Sequence, residues 1–273
     1  MTLTTTVKSL NLRPVPTLRM IALLLFVVPL FGVIWRHDVE EKEYCELAKE
    51  DLFLPVGAVY CRGLNSTGTL ISPTTVLVSA HAISPDTPAI FQIYSPNKGE
   101  YIKVRGVTKQ HEHFFRKHNE DRRIISLHND IGVITLEEAI EDIQPAKCFF
   151  NPVELGTLCY GCGFGRPGTG LSGPQGRDQI KRGFTNTIDN MIDDPNFDPF
   201  YTIFFDSPDD SPNATPFEGI GSEGDSGAPI FIERGGEFLL VGVLNLLILK
   251  GFYASTNTIL PLMNFKEWIE KNS

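Results

Sequence analysis

The chain has 273 residues, 42% of them hydrophobic, with 33 acidic side chains against 24 basic ones and a formal net charge of −9. An acidic chain without a basic stripe is a poor partner for nucleic acid, and this length can bury a large core, as one domain or as two packed halves. Twenty-four glycines and 19 prolines point to many short strands joined by turns rather than to long helices.

The N-terminus reads as a targeting segment. Lys8, Arg13 and Arg19 precede an uncharged apolar run, Met20 to Trp35, which Arg36, His37, Asp38, Glu40 and Glu41 then close. Basic residues before the run and acidic ones after it keep the N-terminus in the cytoplasm and export the rest. As a helix the run reaches about 24 Å, short of a hydrocarbon core of about 30 Å, which favours a signal peptide. No A-x-A-like cleavage site is present, Leu30-Phe31-Gly32 being the nearest, which favours an uncleaved anchor. Residues 1–36 are therefore expected to form a hydrophobic helix, either signal peptide or anchor, with a membrane tether through residues 20–35 in the second case. Both place the folded part outside the cytosol: secreted, periplasmic or on the extracellular face of a membrane. Five cysteines, Cys45, Cys61, Cys148, Cys159 and Cys162, fit an oxidising compartment. Asn65-Ser-Thr67 and Asn213-Ala-Thr215 match the glycosylation triplet.

Downstream, an acidic stretch from Asp38 to Asp51 leads into a first strand over Phe53–Cys61. Further strands are expected over Gly68–Ser72, Thr75–Ser79, Ala89–Tyr94 and Tyr101–Val107, with a polar, basic surface loop over His111–Arg123. Asp130–Leu136 reads as a buried strand, Glu137–Pro145 as a connector between halves, and Thr157–Gly165 as a glycine-rich strand. Pro167–Arg182 and Asp189–Pro199 read as loops, and Tyr201–Phe205, Pro229–Glu233 and Phe238–Leu244 as strands. A C-terminal helix follows, with Asn264 as its cap, Glu267 where a capping box places an acid, and Phe265, Trp268 and Ile269 on the apolar face. The pattern is that of an all-β protein, barrel or sandwich, with one terminal helix.

Three segments carry chemistry. In Gly224-Asp-Ser-Gly-Ala-Pro229, small residues expose the Ser226 hydroxyl, and the glycines permit backbone shapes that aim N–H groups, here those of Gly224 and Ser226, at one oxyanion. His81, at the end of the apolar strand Val76-Leu-Val-Ser-Ala-His-Ala82, supplies a base. Asp130, opening the strand in His128-Asn-Asp-Ile-Gly-Val-Ile134, supplies a carboxylate to orient it. Each alone is an ordinary turn or strand-end residue. Together, in the order His, Asp, Ser, they follow the chain order of the chymotrypsin group.

Over residues 55–272 the chain resembles the trypsin/chymotrypsin family. The resemblance rests on Gly68-Thr-Leu-Ile-Ser72, Val78-Ser-Ala-His81, Asn129-Asp-Ile-Gly-Val-Ile134, Gly156-Thr-Leu-Cys-Tyr-Gly-Cys-Gly-Phe-Gly165, Val241-Gly-Val-Leu-Asn245, Gly251-Phe-Tyr253 and Leu262–Ile269, besides the serine hexapeptide. It implies two packed six-stranded Greek-key barrels, one within residues 37–150 and one within 151–273, with the active site between them. It implies a serine endopeptidase with a monomeric catalytic domain, acting on proteins or peptides through an acyl-enzyme, with His81, Asp130 and Ser226 as triad and without metal or organic cofactor. Ile220, Asn245, Leu247 and Gly251 fall at the family's primary pocket, and an apolar floor at Ile220 implies preference for small or medium apolar side chains over Lys or Arg. Cys45 and Cys148 fall where the family bridges the N-terminal segment to the first barrel.

Several positions depart from the family. Ser66 and Ala82 stand where a cysteine pair usually brackets the histidine, Ile232 replaces the usual partner of Cys159, and Asn245 replaces a serine near the buried aspartate. No Ile-Val-Gly-Gly follows a basic cleavage site. The family's buried activation partner, here Asp225, would then need another amine, such as one freed at Val33 or Ile34 by leader cleavage. These departures keep a second class in view, a catalytically silent protease-like binding module at the cell surface. Cys159-x-x-Cys162 and His111-Glu-His113 read better as strand and solvated loop than as metal pairs.

Overall fold

The computed structural model describes residues 31–248 and 250–273. The basic N-terminal flank and residues 20–30 of the apolar run, on which the expected hydrophobic helix falls, lie outside them. The last five residues of that run are a strand, β1 (Phe31–Trp35), followed by a short helix α1 (Glu41–Leu47) and a helical turn at Asp51–Phe53. Among the described residues, no helix is long and apolar enough to cross a membrane.

The first half is a closed barrel of β2 (Val56–Cys61), β3 (Leu64–Ser72), β4 (Thr75–Val78), β5 (Pro88–Ser95), β6 (Glu100–Gln110) and β9 (Gly132–Leu136), with a hairpin of β7 (Phe115–His118) and β8 (Ile124–His128) between the last two. The pattern of burial explains the closure. Along β5, Ala89, Phe91 and Ile93 are buried while Ile90 and Tyr94 face out, the two-residue period of a strand with one face on a core. The strand β4, Thr75-Val-Leu-Val78, is buried throughout, as expected where it lies at the barrel's contact with the other half. Phe91, Ile93, Leu70, Val76, Val78 and Ile134 fill the interior.

The second half is a closed barrel of β10 (Leu158–Gly163), β13 (Arg182–Ile192), β14 (Phe200–Phe204), β16 (Pro229–Arg234), β17 (Glu237–Ile248) and β18 (Thr256–Pro261). Counting each barrel's strands in chain order, both wind first-second-third-sixth-fifth-fourth: β2-β3-β4-β9-β6-β5 and β10-β13-β14-β18-β17-β16. The same winding thus occurs twice in a chain whose halves show no repeat in sequence. Three short strands complete the structure: β11 (Gly168–Thr169), β12 (Gly173–Pro174) and β15 (Gly219–Glu223) join β1 in a four-stranded sheet ordered β12-β11-β1-β15. The chain closes with a helical turn at Leu262–Phe265 and helix α2 (Lys266–Asn272), whose Trp268 and Ile269 are buried against the first barrel's Leu77 and Val133 and the second barrel's Val243 in one shared cluster.

Some expectations need correction. Helix α2 begins after Phe265, without a side-chain cap, and the Asn264 amide instead donates to the Pro199 carbonyl at 3.2 Å. The His111–Arg123 loop contains strand β7. The segment between the two expected loops is β13, 11 residues long; its polar Thr185, Asn186 and Thr187 hid a strand that lies largely inside the protein. Residues 31–35, the end of the expected helix, are instead a strand: β1 pairs antiparallel with β15, Val33 opposite Gly221 and Ile34 opposite Ile220, and Val33, Ile34 and Trp35 belong to the second barrel's core. Finally, Cys45 and Cys148 are unbridged, as are the other three cysteines. Helix α1 packs on β13, with the Tyr44 hydroxyl donating to the Glu218 carbonyl at 3.0 Å, while Cys148 pairs with Leu240 of β17. Each thiol is therefore fixed by a different part of the second barrel.

Candidate functional site

His81, Asp130 and Ser226 meet where the barrels face each other. At the end of β4 the chain makes one helical turn, Ala80–Ala82. The Gln110 side-chain amide holds that turn, donating to the carbonyls of Ala80 (2.7 Å) and Ile83 (3.0 Å). Asp130 stands just before β9 and is wholly buried. Its Oδ1 accepts the His81 backbone N–H at 2.7 Å, and its Oδ2 lies 2.6 Å from His81 Nδ1. The other ring nitrogen, Nε2, lies 2.7 Å from Ser226 Oγ. With Nδ1–H donating to the carboxylate, Nε2 is left as the acceptor for the serine hydroxyl. Carboxylate, imidazole and hydroxyl thus form one hydrogen-bonded relay from the first barrel to the second.

The aspartate's own placement depends on the second barrel. Asn129, just before it, has a positive φ of 52°, a conformation Asn tolerates better than most residues. Its N–H donates to Asp198 Oδ2 at 2.5 Å, and Asp198 Oδ1 lies 3.5 Å from His128 Nδ1. Backbone bonds from Leu127 N to Asn196 O and from Asp198 N to Leu127 O fix the same loop on the end of β8.

The serine turn is tied down from both sides. Thr67 N donates to the Ser226 carbonyl at 3.1 Å, and Thr67 Oγ1 donates to the Gly224 carbonyl at 3.0 Å. Gly227 N donates to the Leu244 carbonyl, which also accepts Ser79 Oγ. Gly227 has φ 82°, and a Cβ there would lie 2.5 Å from the Thr67 carbonyl oxygen, so only glycine fits. Gly224 has φ 100°, and among the described residues neither its N–H nor that of Ser226 is donated to another protein group. These are the donors the sequence assigns to an oxyanion.

Asp225 is buried beside the turn. Its Oδ1 accepts Gly165 N at 3.2 Å and its Oδ2 accepts Ser222 N at 3.0 Å. Among the described residues no cation pairs with it, and burial pushes its carboxyl up to about 7. A Cβ on Gly163 would lie 1.7 Å from Asp225 Oδ1, so that glycine makes room for the carboxyl. Val33 and Ile34 lie within β1, opposite Gly221 and Ile220 of β15, the strand that ends just before the Asp225 turn.

A narrow crevice without free volume for even a water molecule lies beside the serine turn, lined by Gly221, Ser222, Asp225, Leu244, Asn245, Leu246 and Asn257. Of the four pocket residues expected from sequence, Asn245 alone lines it. Ile220 is fully buried in the second barrel's core together with Ile34, Leu247 packs on the edge of that core, and Gly251 lies against Ile34 Cδ1. Asn245 Oδ1 is buried and has no hydrogen-bond partner among the described residues. A second small recess, of about 20 Å³, is lined by Leu127, Phe197, Phe200, Leu246 and Asp198. Gln110, Thr67, Ser79 and Asp198 all position the relay, and none carries a local sequence signal, because each acts on a partner distant along the chain.

Among the described residues, no group of three or more His, Cys, Asp or Glu side chains is placed to hold a metal ion. Glu112, between His111 and His113, accepts Trp268 Nε1 at 2.7 Å, and Cys159 and Cys162 are buried in β10. No protein-family model matches this chain, and no curated protein matches its sequence.

Proposed function

We propose that the protein is a serine endopeptidase of the trypsin/chymotrypsin type. The observation that carries this reading is the relay itself, with 2.6 Å between Asp130 and His81 and 2.7 Å between His81 and Ser226, assembled at the junction of two six-stranded barrels. The repeated strand order supports a Greek-key winding, since in each barrel the fourth strand in sequence returns to lie beside the first. Ser226 Oγ attacks a peptide carbonyl as His81 Nε2 takes its proton. The new C–O bond forms as the carbonyl π pair moves to oxygen, which Gly224 N–H and Ser226 N–H stabilise. Collapse of this intermediate breaks the C–N bond, and imidazolium returns the proton to the leaving amine. Water repeats the sequence on the acyl-enzyme, while Asp130 fixes the tautomer and stabilises the imidazolium throughout.

The narrowness of the crevice beside the serine turn supports a small side chain at the residue whose carbonyl is attacked. Leu244 and Leu246 offer apolar wall, and the crevice they line is too narrow for a water molecule and has no room for an arginine. The basic flank and apolar run before Phe31 support export of the folded part, by a cleaved leader or a tether. Digestion of a peptide library followed by mass spectrometry tests the activity: cleavage C-terminal to Ala, Val or Ser, abolished by Ser226→Ala, is the expected outcome. No cleavage of any peptide, or cleavage that survives in Ser226→Ala, would leave the silent binding module as the better reading.

A further inference from the structure

Away from the relay, a larger concavity of about 680 Å³ opens between α1, the first barrel and the segment before β13. Its lining is mostly apolar or aromatic: Ala48, Leu54, Tyr94, Tyr101 and Ile180. Tyr94 and Tyr101 meet edge to face at 5.6 Å, and Tyr101 packs in the same way on Phe164 at 6.5 Å. These contacts fix the aromatic wall, since such pairs have defined geometry. The volume is that of a site for a small organic ligand.

One lining residue is out of keeping with the rest. Lys181 is half-buried, its ammonium reaches inward to the backbone of the fully buried Phe53, and burial lowers its pKa. Its Nζ donates to the Phe53 carbonyl at 2.5 Å, which leaves further N–H donors unspent on an ammonium that has three. No Asp or Glu lies within ion-pair distance among the described residues, and these include every Asp and Glu in the chain. The one ionisable neighbour acting on it is the Cys162 thiol, itself pushed up to about 12 by burial and therefore neutral. The other lysine of the lining, Lys49, is engaged with Glu46 at 2.6 Å. Nearby, Asp178 is bound to Arg182. An enclosed ammonium without a counter-charge is costly, and an anion entering the concavity removes that cost.

We propose that this concavity is a binding site for a small amphiphilic carboxylate, its apolar body against Tyr94, Tyr101 and Leu54 and its carboxylate on Lys181 Nζ. The inference is independent of the peptidase reading, because none of the lining residues belongs to the relay or to the serine turn.

Decanoate, used below its micellar concentration, and its neutral analogue decanol are the probes, titrated calorimetrically into the full-length protein. A charge-assisted bond to an enclosed ammonium predicts one decanoate per chain, bound about tenfold or more tighter than decanol. Lys181→Met reduces decanoate affinity to that of decanol, Lys181→Arg retains the preference, and Tyr101→Ala weakens both probes alike. Bound decanoate also slows alkylation of Cys45, which lines the same concavity, and this readout needs no variant. Equal affinity for decanoate and decanol, undiminished decanoate binding by a folded Lys181→Met, or unaltered Cys45 alkylation at saturating decanoate each overturns the proposal, as does absence of decanoate binding.

Discussion

Removing the Asp198 carboxylate tests whether the second barrel positions a residue of the first. In Asp198→Ala, the Asn129 N–H loses its 2.5 Å acceptor, directly before Asp130 and at a backbone position with φ 52°. A hydrogen bond to a charged group contributes about 1.5–3 kcal/mol, so urea unfolding should show a loss of that order. The effect on rate follows from geometry. Asp130 Oδ1 and Oδ2 make two bonds to His81, at 2.7 and 2.6 Å, and a displacement of about 1 Å in a catalytic constellation costs on the order of a hundredfold. Steady-state hydrolysis of a peptide ester should therefore show kcat down about 30- to 100-fold with KM changed far less. Asp198→Asn keeps a neutral acceptor for the same N–H and should recover most of the rate. His128→Gln, which removes the 3.5 Å contact to Asp198 and the ring contact with Phe115 but leaves the Asn129–Asp198 bond, should stay near the parent. Full kcat in Asp198→Ala, at a temperature where the variant is folded, would refute the clamp.

Other consequences follow from Asp225, Gly163 and Gln110. The Asp225 carboxyl sits at about 7 in the fold against 3.8 unfolded, so below about pH 4 both states hold its proton and its contribution is fully present. Between about pH 4 and 7 the native state binds more protons, so stability falls as pH rises, by roughly 2–4 kcal/mol once pH 8 is reached. Asp225→Asn removes this dependence, so its stability relative to the parent should improve between pH 5 and pH 8 in paired thermal melts; parallel profiles would contradict it. The raised Glu218 carboxyl, also about 7, is common to both proteins and cancels. Gly163→Ala places a methyl 1.7 Å from Asp225 Oδ1 and should cost about 1–3 kcal/mol by overpacking, together with a displaced serine turn; chemical denaturation and active-serine labelling rates would both report it, and an unchanged variant would show that Asp225 has room to move. Gln110→Leu strips two bonds from the His81 turn, leaving the Ile83 carbonyl unpaired at about 1 kcal/mol or more and the Ala80 carbonyl with only the Ile83 N–H, and should lower kcat about tenfold; unaltered kcat would assign that turn's rigidity elsewhere.

How much of this was legible beforehand depends on the range of the signal. The strands of the first barrel were readable because β5 and β6 alternate and β4 is short and apolar. The three residues of the relay were readable because each lies in a local motif. The strand β13 was not, because its Thr185-Asn-Thr187 looks like a turn until the partners are known: Asn186 Nδ2 donates to Glu218 Oε1 at 2.9 Å, and Thr185 Oγ1 lies 2.7 Å from Thr215 Oγ1. Buried polar groups of this kind are tolerated only when paired, and the pairing is set by topology. The apolar run misled for the converse reason. Val33, Ile34 and Trp35 are hydrophobic like the residues before them in the sequence, but they pack inside the second barrel, and hydropathy cannot distinguish a membrane from a core. The surroundings of Ile220 were not readable either: its place was set by its distance from Ser226, while its partner Ile34, across β1 and β15 in the same buried cluster, is distant along the chain.

The central claim is that Ser226 is a nucleophile activated by His81 and Asp130. Treating the purified protein with a fluorophosphonate and locating the adduct by mass spectrometry tests it without any knowledge of the substrate. A single adduct on the Ser226 hydroxyl is predicted, absent in Ser226→Ala and formed at least a hundredfold more slowly in His81→Ala, on the order of magnitude lost when the base of such a relay is removed. An unlabelled protein, or one labelled equally well without the imidazole, would contradict it.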